Sequence, residues 1–285
     1  RAALAGDGAP LRPGGADGPD PAGPTPEAVR AAAREALAGL VAERVFGGDP
    51  SRWLAEVGDR AGLAAWGRRG ATPAARLIGW LLATGQGGLG RCTVAPLTPG
   101  VLAARLAQAG DGGAAAPTWA GRPYETSPLT RNLAEPLIAD LVAVFGNGLV
   151  SRLAAQLVEV ARLVAPVLGD DGAGEVAEEA TPELARDPGA GLGLVEAARG
   201  LLAHRVVLAG EQVVDYAILS PTDWNFHPLG VVAQGLAALC EEAGAIAEPL
   251  ARLFVIAVDP CVAFDLARRA HPGAPPFTVP LSEEP

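Results

Sequence analysis

Hydrophobic residues recur at helical spacing through most of the chain, and several of these stretches begin with a capping residue followed by proline. Thr25, Asp49 and Thr72 each precede a proline, which is typical of a helix N-terminus, because the side chain accepts from free N–H groups and proline suits the first turn. We predict helices beginning at these three positions. A longer amphipathic helix is predicted from Leu149 to about Leu168, antiparallel to a helix that starts near Leu133.

The hydrophobic period changes in the C-terminal half. Leu202 to Leu208 and Gln212 to Leu219 are rich in Val, Ile and Tyr and lie on either side of a short glycine-containing turn, which predicts a β-hairpin. Residues 169 to 192 are acidic and glycine-rich and are predicted to form a surface loop. Helical spacing returns over Leu229 to Cys240 and Pro249 to Val258. The predicted fold class is mainly α (α+β), a helical core with a small β-hairpin.

Shifts in composition suggest a division of the chain. Residues 1–24 are rich in Gly, Pro, Ala and Asp and are predicted to be disordered, because they cannot bury enough apolar surface to offset the entropy of ordering. An N-terminal helical part is predicted over residues 25–110 and a C-terminal part over residues 118–268, with a small-residue linker between them. The proline-rich residues 269–285 are predicted to be an exposed tail.

Charge and cysteine usage narrow the function classes. The 22 basic and 32 acidic residues give a net charge of -10, which argues against nucleic acid or an anionic membrane as a partner. No apolar run reaches membrane-spanning length, so we expect no membrane insertion. The three cysteines, Cys92, Cys240 and Cys261, are too few and too far apart for a disulfide framework, which predicts a reducing cytoplasmic environment.

Four separated segments place polar groups at predicted turns: Trp119–Arg131, Glu196–His204, Pro221–Asn225 and Asp259–Cys261. In this order they resemble segments of the C-terminal half of the large subunit of nickel–iron hydrogenases. The resemblance covers roughly residues 119 to 266. It implies a fold like that of the large subunit, with the four segments converging in space.

The residues that would bind the hydrogenase metals are mostly missing. The family supplies four thiolates from two Cys-x-x-Cys pairs, which suit nickel and iron because sulfur is a soft ligand. No Cys-x-x-Cys pair occurs in this sequence. In the segment that begins at Cys261, Phe264 occupies the position of the second cysteine of the pair, and Ala267 occupies the position of the family's histidine. A single thiol cannot build a dinuclear centre, so we expect no complete nickel–iron centre and no catalytic residues.

The resemblance nevertheless implies a candidate binding site. In the family, an arginine and a serine or threonine after proline face the cyanide and carbonyl ligands of the iron. These positions are Arg199, Pro221 and Thr222 here, and Cys261 is the candidate iron ligand. Ala198 replaces the family's proline before the arginine. The expected cargo is a transiently bound Fe(CN)2CO fragment.

A sequence that is similar to the large subunit but lacks the nickel ligands most resembles the hydrogenase assembly proteins of the HupK/HoxV type. We therefore expect a non-catalytic maturation scaffold that assists assembly of the Fe(CN)2CO unit, with hydrogenase maturation proteins and the hydrogenase large subunit as partners. Two alternatives stay open: a truncated or divergent large subunit whose first cysteine pair lies upstream of Arg1, and a metal-free interaction module. Structural roles are the alternatives for two of these residues: Arg199 could pair with Glu196, although its motif context favours the binding role, and Cys261 could be an inert thiol.

With one candidate thiolate, the sequence predicts no specific high-affinity nickel site. Nickel added to the purified protein should therefore be lost during gel filtration, as measured by metal analysis of the eluted protein. Stoichiometric nickel that is retained in the wild-type protein and lost in Cys261→Ser protein would contradict this prediction.

Overall fold

A computed structural model describes six parts of the chain. They are residues 25–107, 116–168, 189–243, 247–261, 263–268 and 277–278. The predicted disordered segment, residues 1–24, lies outside them, and so does most of the predicted tail. The division into an N-terminal and a C-terminal part stays a prediction. Within the described ranges, no helix combines the length and the apolar character needed to cross a bilayer.

Helices dominate the described structure. The helices before residue 110 are α1 (Pro26–Leu40), extended by a π-helical turn (Val41–Phe46), α2 (Pro50–Glu56), α3 (Arg60–Arg69), α4 (Pro73–Ala83) and α5 (Pro99–Ala107). Those after residue 120 are α6 (Pro128–Arg131), α7 (Pro136–Phe145), α8 (Leu149–Leu168), α9 (Pro221–Asn225), α10 (Val231–Ala243) and α11 (Ala247–Val258). The prediction of a mainly helical fold is confirmed.

The strands in the described ranges form three small sheets. They are β1 (Ala95–Pro96), β2 (Tyr124–Glu125), β3 (Ala190–Ala197), β4 (Gly200–Ala209), β5 (Gln212–Leu219), β6 (Ala267–Arg268) and β7 (Phe277–Thr278). Strands β1 and β2 pair in parallel, and β6 and β7 pair antiparallel. The largest sheet is antiparallel, in the order β3-β4-β5.

The three predicted N-terminal caps are present. Thr25 Oγ1 accepts a hydrogen bond from the Ala28 N–H at 3.2 Å, and Asp49 and Thr72 make equivalent bonds at the starts of α2 and α4. Sequence reasoning missed α3, although Asp59 caps it in the same way. No proline follows Asp59, so the signal used for the other helices was absent.

The predicted β-hairpin is part of a larger sheet. Its two strands are β4 and β5. The whole of β3 pairs with β4. The surface-loop prediction for residues 169–192 was therefore wrong from Ala190 onward. Leu192 and Leu194 of β3 pack against a small apolar cluster under the sheet, whereas Gly191 and Gly193, which alternate with them, are exposed. Those glycines obscured the alternation in the sequence, because glycine is depleted in strands.

A buried ion pair joins the segment around β2 to the helical core. The carboxylate of Glu125 and the guanidinium of Arg152, on α8, form a two-pronged pair, and their side chains are 2% and 1% exposed. Ser127 Oγ donates a further hydrogen bond to Glu125 at 2.7 Å. The Arg152 guanidinium lies 5.3 Å from the ring centroid of Phe254 on α11. One charge pair thus connects three separated parts of the chain.

Replacing Glu125 with Gln would leave the Arg152 charge buried without a counter-ion. We expect the free energy of unfolding to fall by roughly 3–5 kcal/mol, because an uncompensated buried charge is strongly destabilising. Urea unfolding measures this change. Glu56→Gln, which weakens the solvent-exposed pair with Arg52, is the matched control and should have little effect. Equal effects of the two substitutions would contradict the prediction.

Candidate functional site

Arg199 lies in the tight turn between β3 and β4. Ala197 pairs with Gly200 across the turn, which leaves Ala198 and Arg199 at its tip. Gly200 has a φ of 136°, and a Cβ added there would lie 2.6 Å from the carbonyl oxygen of Thr126. Only glycine fits this conformation and this close approach. The glycine after Arg199 therefore lets the turn pack directly on the segment around Thr126.

Thr126 links this turn to helix α9. Its Oγ1 accepts a hydrogen bond from the Leu201 N–H at 2.7 Å. Its main chain is bonded to the Asn225 side chain, which accepts from the Thr126 N–H at 3.0 Å and donates to the Thr126 carbonyl at 2.6 Å. The turn that carries Arg199 and the helix that carries Thr222 are therefore both bonded to one residue.

The predicted proline–threonine corner is a single helical turn, α9. Ser220 caps it, because Ser220 Oγ accepts from the Asp223 N–H and Asp223 Oδ2 accepts from the Ser220 N–H at 2.7 Å. Pro221 occupies the first turn, where its missing N–H costs nothing. Thr222 is half-buried. Trp224 is fully buried and anchors the helix.

Asp259 brings the third segment to Arg199. Helix α11 ends at Val258, and Asp259 adopts the left-handed conformation with a φ of 65° while its N–H bonds back to Val255 and Ile256. Asp259 Oδ2 then lies 3.5 Å from Arg199 Nε. This buried Nε has no hydrogen-bond partner in the described ranges.

The structure thus brings together part of the predicted constellation. Arg199 and Asp259 form an ion pair, and the turn of Arg199 is joined to α9 through Thr126. Cys261 follows Asp259 by two residues and is exposed. Within the described part of the chain, no hydrogen bond or ion pair joins Thr222 or Cys261 to Arg199.

The other cysteines and Phe264 lie in packing positions. Cys92 and Cys240 are partly buried against the main core, and Cys92 Sγ accepts a hydrogen bond from Asn147 Nδ2 at 3.2 Å. The Phe264 ring also packs against this core, and the Arg252 guanidinium lies 5.7 Å from its centroid. Among the described residues, no three His, Cys, Asp or Glu side chains cluster closely enough to hold a metal ion.

The donors at the site suit a small ligand with hydrogen-bond acceptors and one soft metal. The Arg199 guanidinium is a cationic donor whose buried Nε lies in an ion pair with Asp259 but makes no hydrogen bond within the described ranges, and Thr222 carries a hydroxyl. The Cys261 thiol is the soft ligand of the three segments. These groups fit an iron fragment with diatomic ligands in type, although the Asp259 carboxylate already pairs with the guanidinium.

Comparison with protein families gives a match in the C-terminal half of the chain. The family model described as nickel-dependent hydrogenase matches residues 149–264, which include Arg199, Thr222 and Cys261. The predicted resemblance is confirmed. The matched segment runs from α8 past Cys261 and contains the three-stranded sheet.

Curated relatives agree with the family match. The chain is 34% identical over 166 residues to the hydrogenase expression/formation protein HupK of Bradyrhizobium diazoefficiens, covering 58% of this chain and 44% of that protein. It is 37% identical over 156 residues to the hydrogenase expression/formation protein HoxV of Cupriavidus necator, covering 52% and 39%. The chain thus spans less than half the length of either relative.

Among solved structures, the oxidized NiFeSe hydrogenase of Desulfovibrio vulgaris Hildenborough is similar at 22% identity, with a TM-score of 0.35. The match covers 51% of this chain and 36% of that chain. A TM-score this low supports no further argument about the site.

Sequence reasoning missed several residues that hold the site together. Thr126, Glu125 and Arg152 gave no local signal, because their partners are distant in sequence. Asp259 was noted in its motif, but its ion pair with Arg199 was not predicted. Arg131, which ends the Trp119–Arg131 segment, entered the sequence analysis only as part of the resemblance to the hydrogenase family.

His227 follows α9 and is buried. Its Nδ1 accepts a hydrogen bond from the Leu229 N–H at 2.9 Å. Burial lowers the pKa of His227 below its ordinary value of 6.5, and a hydrogen bond to the Ala116 main chain partly opposes this shift. Protonation would place a charge in a position that is 5% exposed.

Because the folded pKa of His227 is lowered, protons bind the unfolded chain more readily. The contribution of His227 to stability is fully present above pH 6.5 and is lost as pH falls through the lowered folded pKa. Urea unfolding from pH 7.5 down to pH 4.5 should show this loss. The loss should be smaller in His227→Asn protein, whose amide oxygen can still accept from Leu229. An unchanged pH dependence in this variant would contradict the prediction.

Proposed function

We propose that this chain acts as a non-catalytic hydrogenase maturation scaffold that assists assembly of the Fe(CN)2CO unit. The observation that carries the proposal is the contact between Arg199 and Asp259, which puts a cationic donor beside the segment that bears Cys261. The names of the curated relatives, hydrogenase expression/formation proteins, support the same role. In this role the iron fragment is cargo.

Each group at the site has a distinct task in this proposal. The Cys261 thiolate binds the iron of the fragment. The Arg199 guanidinium and the Thr222 hydroxyl donate hydrogen bonds to its diatomic ligands, and Pro221 fixes the backbone before Thr222. The proposed partners are hydrogenase maturation proteins, which deliver the fragment, and the hydrogenase large subunit, which receives it. We place this exchange in the cytoplasm.

Phe264 favours a scaffold over a hydrogenase. The family has a metal-bridging cysteine at this position, whereas the Phe264 ring packs against the core. A divergent catalytic subunit would need a thiolate there. A metal-free interaction module remains the competing account, and loading experiments distinguish it from a scaffold.

Infrared spectroscopy of protein purified from its own host tests the proposal, because cyanide and carbonyl stretches have no protein background. A charge-assisted hydrogen bond contributes about 1.5–3 kcal/mol, so Arg199→Ala should weaken loading by about one to two orders of magnitude. Cys261→Ser should abolish loading, and host hydrogenase activity should fall in parallel.

Arg30→Ala on α1 and Cys240→Ala on α10 are matched controls away from the site, and both should load as the wild type does. A strain with both Cys261→Ser and Arg199→Ala that matures its hydrogenase at the normal rate would favour the metal-free interaction module.

A further inference from the structure

The guanidinium of Arg131, at the end of α6, donates hydrogen bonds to two carboxylates and to two main-chain carbonyls. Its Nε and Nη2 donate to Glu159 Oε1 at 2.9 and 2.6 Å, and Nη1 donates to Glu196 Oε2 at 3.0 Å. Two more bonds reach main-chain oxygens, from Nη1 to Ala197 at 3.0 Å and from Nη2 to Ala198 at 2.9 Å. A guanidinium has five N–H groups, so every one of them has a partner here.

The two main-chain bonds are made to the turn that carries Arg199. The carbonyls of Ala197 and Ala198 directly precede Arg199, so they fix the two peptide planes that lead into the tip of the turn. On the far side of the tip, Thr126 Oγ1 accepts from the Leu201 N–H. The turn is therefore held on both sides of Arg199 by one segment of the chain.

Arg131 acts through geometry more than through its charge. The carboxylates of Glu159 and Glu196 both pair with it, so its positive charge is compensated locally. Its side chain is only 16% exposed, which limits exchange of these bonds with water. A lysine would keep the charge but lacks the planar fork that reaches Glu159 and both carbonyls at once.

We propose that Arg131 is a positioning residue that fixes the turn of Arg199 and thereby directs the Arg199 guanidinium towards Asp259 and the cargo. This inference rests on the proposed function, because the cargo is the Fe(CN)2CO fragment. Arg131 itself does not touch the fragment.

Hydrogen exchange in cargo-free protein tests whether Arg131 fixes the turn that carries Arg199. Arg131→Lys should raise the exchange rate of the amides of residues 199–202 at least tenfold, as measured by mass spectrometry. Arg162→Lys is the matched control, because Arg162 on α8 forms an ion pair with Glu135 away from the turn. Exchange in the turn that is the same in Arg131→Lys and wild-type protein would overturn the inference.

A double-mutant cycle tests whether Arg131 affects cargo binding through Arg199. Infrared measurement of loading should show about a tenfold loss in Arg131→Lys protein, with broadened cyanide bands. In the Arg199→Ala background, Arg131→Lys should cause no further loss, because its effect passes through Arg199. A further tenfold loss in that background would identify a merely structural role and overturn the inference.

The two experiments separate failure of the inference from failure of the proposed function. If Arg199→Ala protein loads as the wild type does, the proposed function fails, and the role of Arg131 towards cargo fails with it. If Arg199→Ala loses loading while Arg131→Lys changes neither loading nor exchange, only the inference about Arg131 fails.

Discussion

The buried pair of Glu125 and Arg152 is the constraint on which the candidate site depends. It ties the short segment Tyr124–Arg131 to the long helix α8, and the Arg152 guanidinium packs on Phe254 of α11. Burying two charges is costly, and here their geometry and the hydrogen bond from Ser127 compensate for it. Because this segment is fixed, the residues next to Glu125 can act as anchors for other parts of the chain.

The anchors on that segment bring the site together. Thr126 is bonded both to the start of β4 and to Asn225 of α9, and Arg131 is bonded to the turn that carries Arg199. The left-handed Asp259 at the end of α11 adds the third segment through its ion pair with Arg199. The result is a cationic donor close to a segment with one exposed thiol, and on this arrangement we base the proposal that the chain binds an iron fragment.

Some of this organisation was predictable from the sequence. Caps such as Thr72 before proline act locally, so the helices they begin could be predicted from neighbouring residues. Strand β3 was missed because glycines interrupt its alternation. Thr126 with Asn225, 99 residues apart, and Glu125 with Arg152, 27 residues apart, form contacts that no local pattern encodes. The resemblance of the motifs, by contrast, correctly associated Arg199 with the Asp259 segment, because it carries long-range information.

Iron X-ray absorption spectroscopy of protein isolated from its own host tests the central claim most directly. Our account predicts one sulfur neighbour per iron together with carbon neighbours from the diatomic ligands, and loss of that sulfur signal in Cys261→Ser protein. Two or more sulfur neighbours per iron, or an iron signal that is unchanged in Cys261→Ser protein, would contradict it.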